Sequence, residues 1–524
     1  MKYVIYGLLI SLLGFVCSCA DDKGNYDYAD INKLVISGID PAYKKIAHVD
    51  TLRIQPDVQN EGGNRDEGEY RYEWKFIPRS VEHAENREDE ADYVLATTKN
   101  LDIPVSLEAG DYVCFYSVED KATKVIWGQQ FNLSVSSLTT QGWTILCEQD
   151  GQARMDMIVN VDANTDIISR DIWSESTLKT GKPLKVMCDY TFAFVIPNIF
   201  VCENGSYMMD AKDMHVGEDN NIRWYFGAQP EHVNVRASTV MVYSYNSTEW
   251  KFYPHYWIIV DDKGDVYCND VFENGGLFDF PINQIDGIKF EAAPFAANSS
   301  RYYGATSLQL PSIMLYDKAG RFLEVKVTSG GKPTVMKFTG EILFSAEQPG
   351  KEMVCMQSTV YNGLTYAVLR DGNGDYYYYG IILGDFGENT QKYYGKLNGP
   401  ELDQAVGFAC HPILGILYYA TKDKVYKFDM NDPSRKVEEI LYYPGETIKV
   451  LKFKPFSSYK NYEVWESVRS EHLVVGTTVD QAAEDKCGIM RTYDFKTQWD
   501  EEPILKKEYT SLGKIVDINY KETF

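Results

Sequence analysis

The first residues able to do chemistry are two cysteines one serine apart, Cys17 and Cys19 in "GFVCSCADDKGNYDY" (14–28). Their spacing suits neither usual role. A disulfide would close a small strained ring, and a metal site would need further Cys or His ligands at short spacing, which the neighbourhood lacks. The other eight cysteines, Cys114, Cys147, Cys188, Cys202, Cys268, Cys355, Cys410 and Cys487, form no CxxC pair. Most lie inside apolar strands, where a thiol packs as a small apolar group, although an isolated pair can bridge in an oxidising compartment. The seven histidines, His48, His83, His215, His232, His255, His411 and His472, stand singly. There is no HExxH, no nucleophile elbow and no phosphate-cradling glycine loop, so motifs assign no catalytic residue, no metal ligand and no cofactor. Carboxylates are plentiful enough for a pair to hydrolyse glycosidic bonds, but nothing picks that pair out.

"DDKGD" (261–265) and "DGNGD" (371–375) have the donor types of a calcium loop. A helix-loop-helix calcium site also needs a bidentate glutamate at the far end of the loop, and tyrosines fill that stretch after Asp375. Asp and Gly are equally what a hairpin turn with positive φ requires, so turns are expected at both places.

Aromatic residues are the remaining candidates. The chain has 39 Tyr, and they cluster in "RWYFG" (223–227), "YPHYW" (253–257), "SRYYGA" (300–305) and "DYYYYG" (375–380). In the last cluster, strand alternation sends Tyr376 and Tyr378 to one face and Tyr377 and Tyr379 to the other, so core packing accounts for at least half of them. "RWYFG" and "SRYYGA" fall between hairpins, where loops emerge at a propeller rim, and loop aromatics without a packing role tend to be functional. Trp224, Tyr225, Tyr302 and Tyr303 are therefore the candidate ligand-binding residues.

Positioning these residues falls to β structure, as the tyrosines and the 39 Gly and 19 Pro indicate. From 141 to 524 a strand, a tight polar turn and a second strand recur seven times. The copies are "WTILCEQDGQARMDMIVNV" (143–161), "NIFVCENGSYMMDA" (198–211), "YWIIVDDKGDVYCND" (256–270), "IMLYDKAGRFLEV" (313–325), "TYAVLRDGNGDYYYYGI" (365–381), "GILYYATKDKVYKFD" (415–429) and "HLVVGTTVDQAAEDKCGIMRTYDF" (472–495). Starts roughly fifty residues apart match the period of a four-stranded propeller blade, which predicts a seven-bladed β-propeller over 141–524. The first hairpin has no inner strand before it, while "GKIVDINYK" (513–521) is a strand with nothing after it. The economical solution is that this C-terminal strand completes the first blade and closes the propeller.

Residues 31–137 read instead as short alternating strands, including "YRYEWKFIP" and "GDYVCFYSVED", and predict a β-sandwich. The fold class is thus all-β. The "YRYEW" strand with inward Trp74, together with "AGDYVCFYSVED", resembles the PKD-like, immunoglobulin-related domains of extracellular proteins. There Gly110, Tyr112 and Asp120 would mark a turn, a core residue and a strand end.

Composition and the amino terminus set the location. A net charge of -24 spread along the chain argues against nucleic acid or anionic lipid headgroups as partners. One lysine ahead of an apolar run, "KYVIYGLLISLLGFV" (2–16), has the layout of a secretory signal. The following "VCSC" resembles the lipobox of bacterial lipoproteins. That resemblance implies cleavage between Ser18 and Cys19, a lipid on Cys19, a signal peptide over 1–18 and an acidic tether over 19–30. Asp21 and Asp22 behind the anchor resemble the surface-export signal of Bacteroidota lipoproteins, which implies an outer-membrane protein facing the cell exterior.

The whole arrangement, lipobox, acidic tether, PKD-like domain and a propeller opening "GWTILCEQDG", resembles the PKD-like surface lipoproteins of Bacteroidota. These are similar in setting to accessory lipoproteins beside SusC/SusD-type transporters. The resemblance implies a non-enzymatic binder of a glycan, a peptide or a siderophore, working with a TonB-dependent transporter and held to the membrane by its lipid. It carries no ligand-binding motif onto particular residues. Two other classes stay open: a glycan-active propeller enzyme, and a structural or adhesive module that contacts another protein.

Overall fold

The computed structural model describes residues 33–60, 69–81, 93–139, 141–160, 165–188, 198–241, 256–270, 276–298, 312–326, 331–359, 361, 363–384, 388–456, 468–495, 499 and 502–522. The chain divides into two compact units, Met1–Ser136 and Ser137–Phe524. Both are built of β-strands.

Unit 1 contains β1 (Leu34–Ser37), β2 (Ala42–Ile46), β3 (Thr51–Ile54), β4 (Asp57–Asn60), β5 (Tyr70–Pro78), β6 (Val94–Ala96), β7 (Leu101–Pro104), β8 (Gly110–Asp120) and β9 (Ile126–Ser136). A five-stranded sheet runs β2-β9-β8-β5-β6, with β1-β4 and β3-β7 as two-stranded partners. The alternation of β5 explains its place. Tyr70, Tyr72, Trp74 and Phe76 turn into the core while Arg71 stays exposed. Trp74 is fully buried against Tyr116 and Phe131, at centroid distances of 4.3 and 6.1 Å, and its indole N–H donates to Thr98 O at 2.8 Å. Tyr112 is a core residue whose hydroxyl donates back to Glu108 O at 2.9 Å, the corner bond common in immunoglobulin-like sandwiches. Asp120 ends β8, and its Oδ1 accepts the amides of Ala122 and Thr123 to form the turn into β9.

Unit 2 holds seven antiparallel sheets of three or four strands among the described residues. The first is built on β10 (Gly142–Gln149), β11 (Gln152–Asn160) and β12 (Asp166–Ser169). The second is β13 (Pro183–Cys188), β14 (Asn198–Cys202) and β15 (Gly205–Met208), and the third β16 (Val235–Met241), β17 (Tyr256–Asp261) and β18 (Val266–Asp270). A short ribbon, β19 (Gln284–Ile285) and β20 (Ile288–Lys289), precedes the fourth sheet of β21 (Ala297–Asn298), β22 (Ser312–Tyr316), β23 (Phe322–Lys326) and β24 (Pro333–Val335). The fifth is β25 (Lys351–Ser358), β26 (Leu364–Asp371), β27 (Tyr376–Ile382) and β28 (Thr390–Leu397). The sixth is β29 (Gly407–Cys410), β30 (Ile416–Ala420), β31 (Lys424–Asp429) and β32 (Glu438–Tyr442). The seventh is β33 (Glu446–Phe453), β34 (Leu473–Val479), β35 (Gly488–Asp494) and β36 (Ile504–Leu512). The last strand, β37 (Lys514–Lys521), pairs antiparallel with β10 and becomes the fourth strand of the first sheet.

The middle strands are largely apolar because both faces are covered. β14, β17 and β22 are buried at every position. In β14, Phe200 and Cys202 join a cluster with Leu146 and Met155 of the first sheet, while Ile199 and Val201 join one with Val235 and Trp257 of the third. Five further clusters join third to fourth, fourth to fifth, fifth to sixth, sixth to seventh, and seventh to first sheets. The tyrosine run of β27 divides as its alternation requires. Tyr376 and Tyr378 pack toward the sixth sheet, and Tyr377 and Tyr379 toward the fourth.

Candidate binding surface

Both acidic glycine stretches are hairpin turns. Asp261 Oδ1 accepts the amides of Lys263 and Asp265, and Asp371 Oδ1 accepts those of Asn373 and Asp375. A third copy, "DKAGR" at 317–321, has the same ladder, with Asp317 Oδ1 taking the amide of Arg321. Gly264, Gly320 and Gly374 sit at φ 75, 89 and 87°, where a side chain would be strained. A Cβ on Gly264 or Gly320 would also strike backbone atoms of the neighbouring segment. Among the described residues, no three His, Cys, Asp or Glu side chains form a group able to hold a metal ion.

Buried ionisable groups are mostly spoken for. Asp156, fully buried, receives Arg154 in a two-pronged ion pair, and Asp317 receives Arg321. Burial pushes the thiols of Cys114, Cys268 and Cys355 up to about 12, and those of Cys147 and Cys410 well above the ordinary range. All eight cysteines of the described residues are free thiols. Burial also lowers His411 to about 4, with His472 adding to the shift, and lowers His472 to about 4.

The aromatic candidates separate. Tyr302, Tyr303 and the first three residues of "YPHYW" lie outside the described residues, as do Ser18, Cys19, Asp21 and Asp22. Trp224 and Tyr225 belong to a 3₁₀ turn, Ile222–Tyr225, that starts after Asn221, itself bridged antiparallel to Tyr207 of β15. Asn221 opens it by accepting the Arg223 amide at 3.1 Å, and buried Ile222 and Phe226 anchor its two ends. Between those anchors the neighbours face opposite ways. Tyr225 packs edge-on against Trp257 at 6.1 Å, and burial, then Asp210, raises its pKa. Trp224 points outward and is 42% exposed. Its indole N–H donates to Glu218 O at 3.1 Å, and the Arg223 guanidinium stacks 4.3 Å from its ring. The result is an exposed aromatic face held in one orientation, the arrangement that binds a sugar ring or apolar side chain at low entropic cost.

A second strip of chain extends this surface. Phe278 N donates to Tyr225 O at 2.7 Å and Gly227 N to Phe278 O at 3.0 Å, so 276–280 runs beside the turn. Phe278 is fully buried and Phe280, two residues on, is 83% exposed. Ile288 on β20 is exposed as well. Phe280 was not legible as a surface residue, because "GLFDFPINQ" offers two phenylalanines with nothing to rank them.

Residues 19–185 match the model of the PKD-like family. A quinonprotein alcohol dehydrogenase-like protein from Bacteroides thetaiotaomicron is similar at 12% identity over 91% of this chain and 93% of its own, with a TM-score of 0.36. A DUF4784 family protein from Bacteroides caccae is similar at 10% identity over 93% and 98%, with a TM-score of 0.28. The β-propeller domain of Myceliophteria thermophila Cps50 (Swd1) is similar at 7% identity over 74% and 93%, with a TM-score of 0.36. No curated protein matches the chain.

Proposed function

We propose that this chain is a lipid-anchored outer-membrane protein, facing the cell exterior, which captures a nutrient ligand beside a SusC/SusD-type TonB-dependent transporter. The ligand is a glycan, a peptide or a siderophore. In this reading Cys19 bears the lipid, Asp21 and Asp22 direct export, and the PKD-like unit follows the tether in the chain. Unit 2 is a seven-bladed propeller closed by β37. Support for the ring comes from the seven apolar clusters, each shared by two consecutive sheets and the last shared by the seventh and the first.

The single observation that carries the binding half is Trp224, exposed yet fixed by Glu218 O and Arg223. Tryptophan in such a setting gives rigid contact area without a folding role. Titrating the protein with a panel of glycans, peptides and siderophores, read by calorimetry, should find a saturable ligand that is not turned over. Trp224→Ala should weaken it at least about tenfold while leaving the melting temperature unchanged. Saturation by nothing in the panel, or an affinity indifferent to Trp224, defeats the proposal. Separately, Cys19→Ala should release the protein from membranes, and retention there would defeat the anchor.

A further inference from the structure

The turn that carries Trp224 follows a second short 3₁₀ turn, Glu218–Asn220, which has no buried residue. Glu218 and Asp219 of that turn are both exposed. Because the Glu218 carbonyl accepts the Trp224 indole N–H, this acidic pair lies at the edge of the exposed ring. Asp210 is exposed as well and acts through space on Tyr225, the next residue along. On the opposite side stands the 276–280 strip. Phe278 N donates to Tyr225 O, and the residues just before these two, Leu277 and Trp224, are both exposed. Apolar area and carboxylates therefore meet at one place on the surface of unit 2.

Charge and hydrogen bonding at this place narrow what can bind. From Asp210 to Glu231 the chain carries five acids, Asp210, Asp213, Glu218, Asp219 and Glu231, against Lys212 and Arg223. Arg223 covers one face of the indole with its Nε buried, so its charge lies on the inner side of the ring. The whole chain has the same sign, at -24. An anionic siderophore would meet this field unfavourably, and a neutral glycan would gain nothing from it. The indole N–H is already committed to Glu218 O, so Trp224 offers a ligand its apolar face and no donor. A hydroxyl-rich ring also has little use for aliphatic Leu277. A ligand with apolar and positively charged groups side by side uses every one of these features.

We infer that the ligand of this surface is a cationic peptide, which lays an apolar side chain on Trp224 and Leu277 and brings a lysine or arginine to Glu218 and Asp219. The inference rests on the binding role proposed for Trp224 and names its ligand class. In an extended peptide, side chains two residues apart lie on one side about 7 Å from each other, so a single short segment can present both groups together. The apolar contact supplies affinity, and the acids supply attraction at a distance and selection against anionic ligands.

The test is selection of a displayed random octapeptide library on the purified protein, followed by calorimetry with the most enriched peptide at about 50 and about 500 mM NaCl. Enriched sequences should carry Lys or Arg within two residues of Leu, Phe or Trp. Affinity should fall about tenfold between the two salt concentrations, because screening removes the attraction to the acids. Glu218→Gln with Asp219→Asn should weaken binding about 3–10-fold at low salt and remove most of the salt dependence. Trp224→Ala should weaken binding at both salt concentrations. These positions are exposed, so an unchanged melting temperature keeps each variant interpretable. Enrichment of Asp- or Glu-rich peptides, or an affinity that ignores both acids, overturns the inference. Trp224-dependent saturation by a neutral glycan such as maltohexaose, with no peptide enriched, overturns the peptide assignment and leaves binding at Trp224 standing. Indifference of every ligand to Trp224 instead defeats the binding role itself, and the inference with it.

Discussion

Asp156 on β11 accepts the backbone amide of Gly513 at 2.8 Å, across 357 residues of sequence. The same carboxylate receives Arg154 through Nε and Nη2, and Arg154 reaches on to Asp485 O at 3.1 Å. The terminal strand β37 is thus tied to the first sheet by its ladder with β10 and by a buried charge at its start. Gly513 is required there, since a Cβ would lie 2.7 Å from Cys147 Cβ. Asp156→Ala should destabilise unit 2 by about 3–5 kcal/mol, because Arg154 would be left buried without its partner. Equilibrium denaturation checks this, and Asp156→Leu with Arg154→Met should recover much of the loss.

Acid should weaken the sixth and seventh sheets first. His411 Nδ1 accepts the amides of Ile413 and Leu414, so the ring is neutral with its proton on Nε2, which is buried against Phe453 without a partner. Folded values near 4 for His411 and His472, against 6.5 as the ordinary value, mean that the unfolded chain binds more protons between those limits. Stability should therefore be full above about pH 6.5 and fall as pH drops toward 4, by roughly 2–3 kcal/mol for each group. Asp494 opposes the lowering at His472, while Lys506 and Arg469 reinforce it. Unfolding free energy measured from pH 7.5 to 4 should have a shallower slope in His411→Asn, whose side-chain oxygen replaces the Nδ1 acceptor.

The Asp-Gly hairpins should behave as turns toward both mutation and metal. Asp261→Asn keeps an acceptor for the Lys263 and Asp265 amides and should cost little, whereas Asp261→Leu should cost about 1–2 kcal/mol. Calcium and chelator should leave the melting temperature of the parent unchanged; a rise with calcium would show that these carboxylates serve an ion instead.

The cysteines should be silent in the folded protein. A thiol pushed up to about 12, as at Cys114 and Cys355, holds almost no thiolate at pH 8, and at Cys114 full burial blocks reagent as well. Counting alkylated sites by mass spectrometry should find almost none of the eight described thiols modified before denaturation and all of them modified after it. Rapid modification of Cys147 or Cys410 in native protein would contradict the packing described for β10 and β29.

Local pattern was enough for much of this protein. Alternation in "YRYEWKFIP" placed Trp74 in a core, alternation in "DYYYYG" divided its tyrosines between two neighbouring sheets, and Asp with Gly at fixed offsets specified turns. Each of these depends on residues within one strand or one turn, where side-chain period and backbone sterics act without knowledge of distant chain. Counting strands also paired the last one, β37, with the first hairpin, but which side chains meet across distant segments was beyond such reasoning. Trp224 and Tyr225 are adjacent and chemically alike, yet one faces solvent and the other Trp257, because anchors at Ile222 and Phe226 and the distant strip at Phe278 set the turn's rotation. Asn198 and Lys521 read as an ordinary strand polar residue and a terminal lysine. Only the assembled interior of unit 2 strips both of water, and desolvation, which depends on residues far along the chain, is what lowers Lys521.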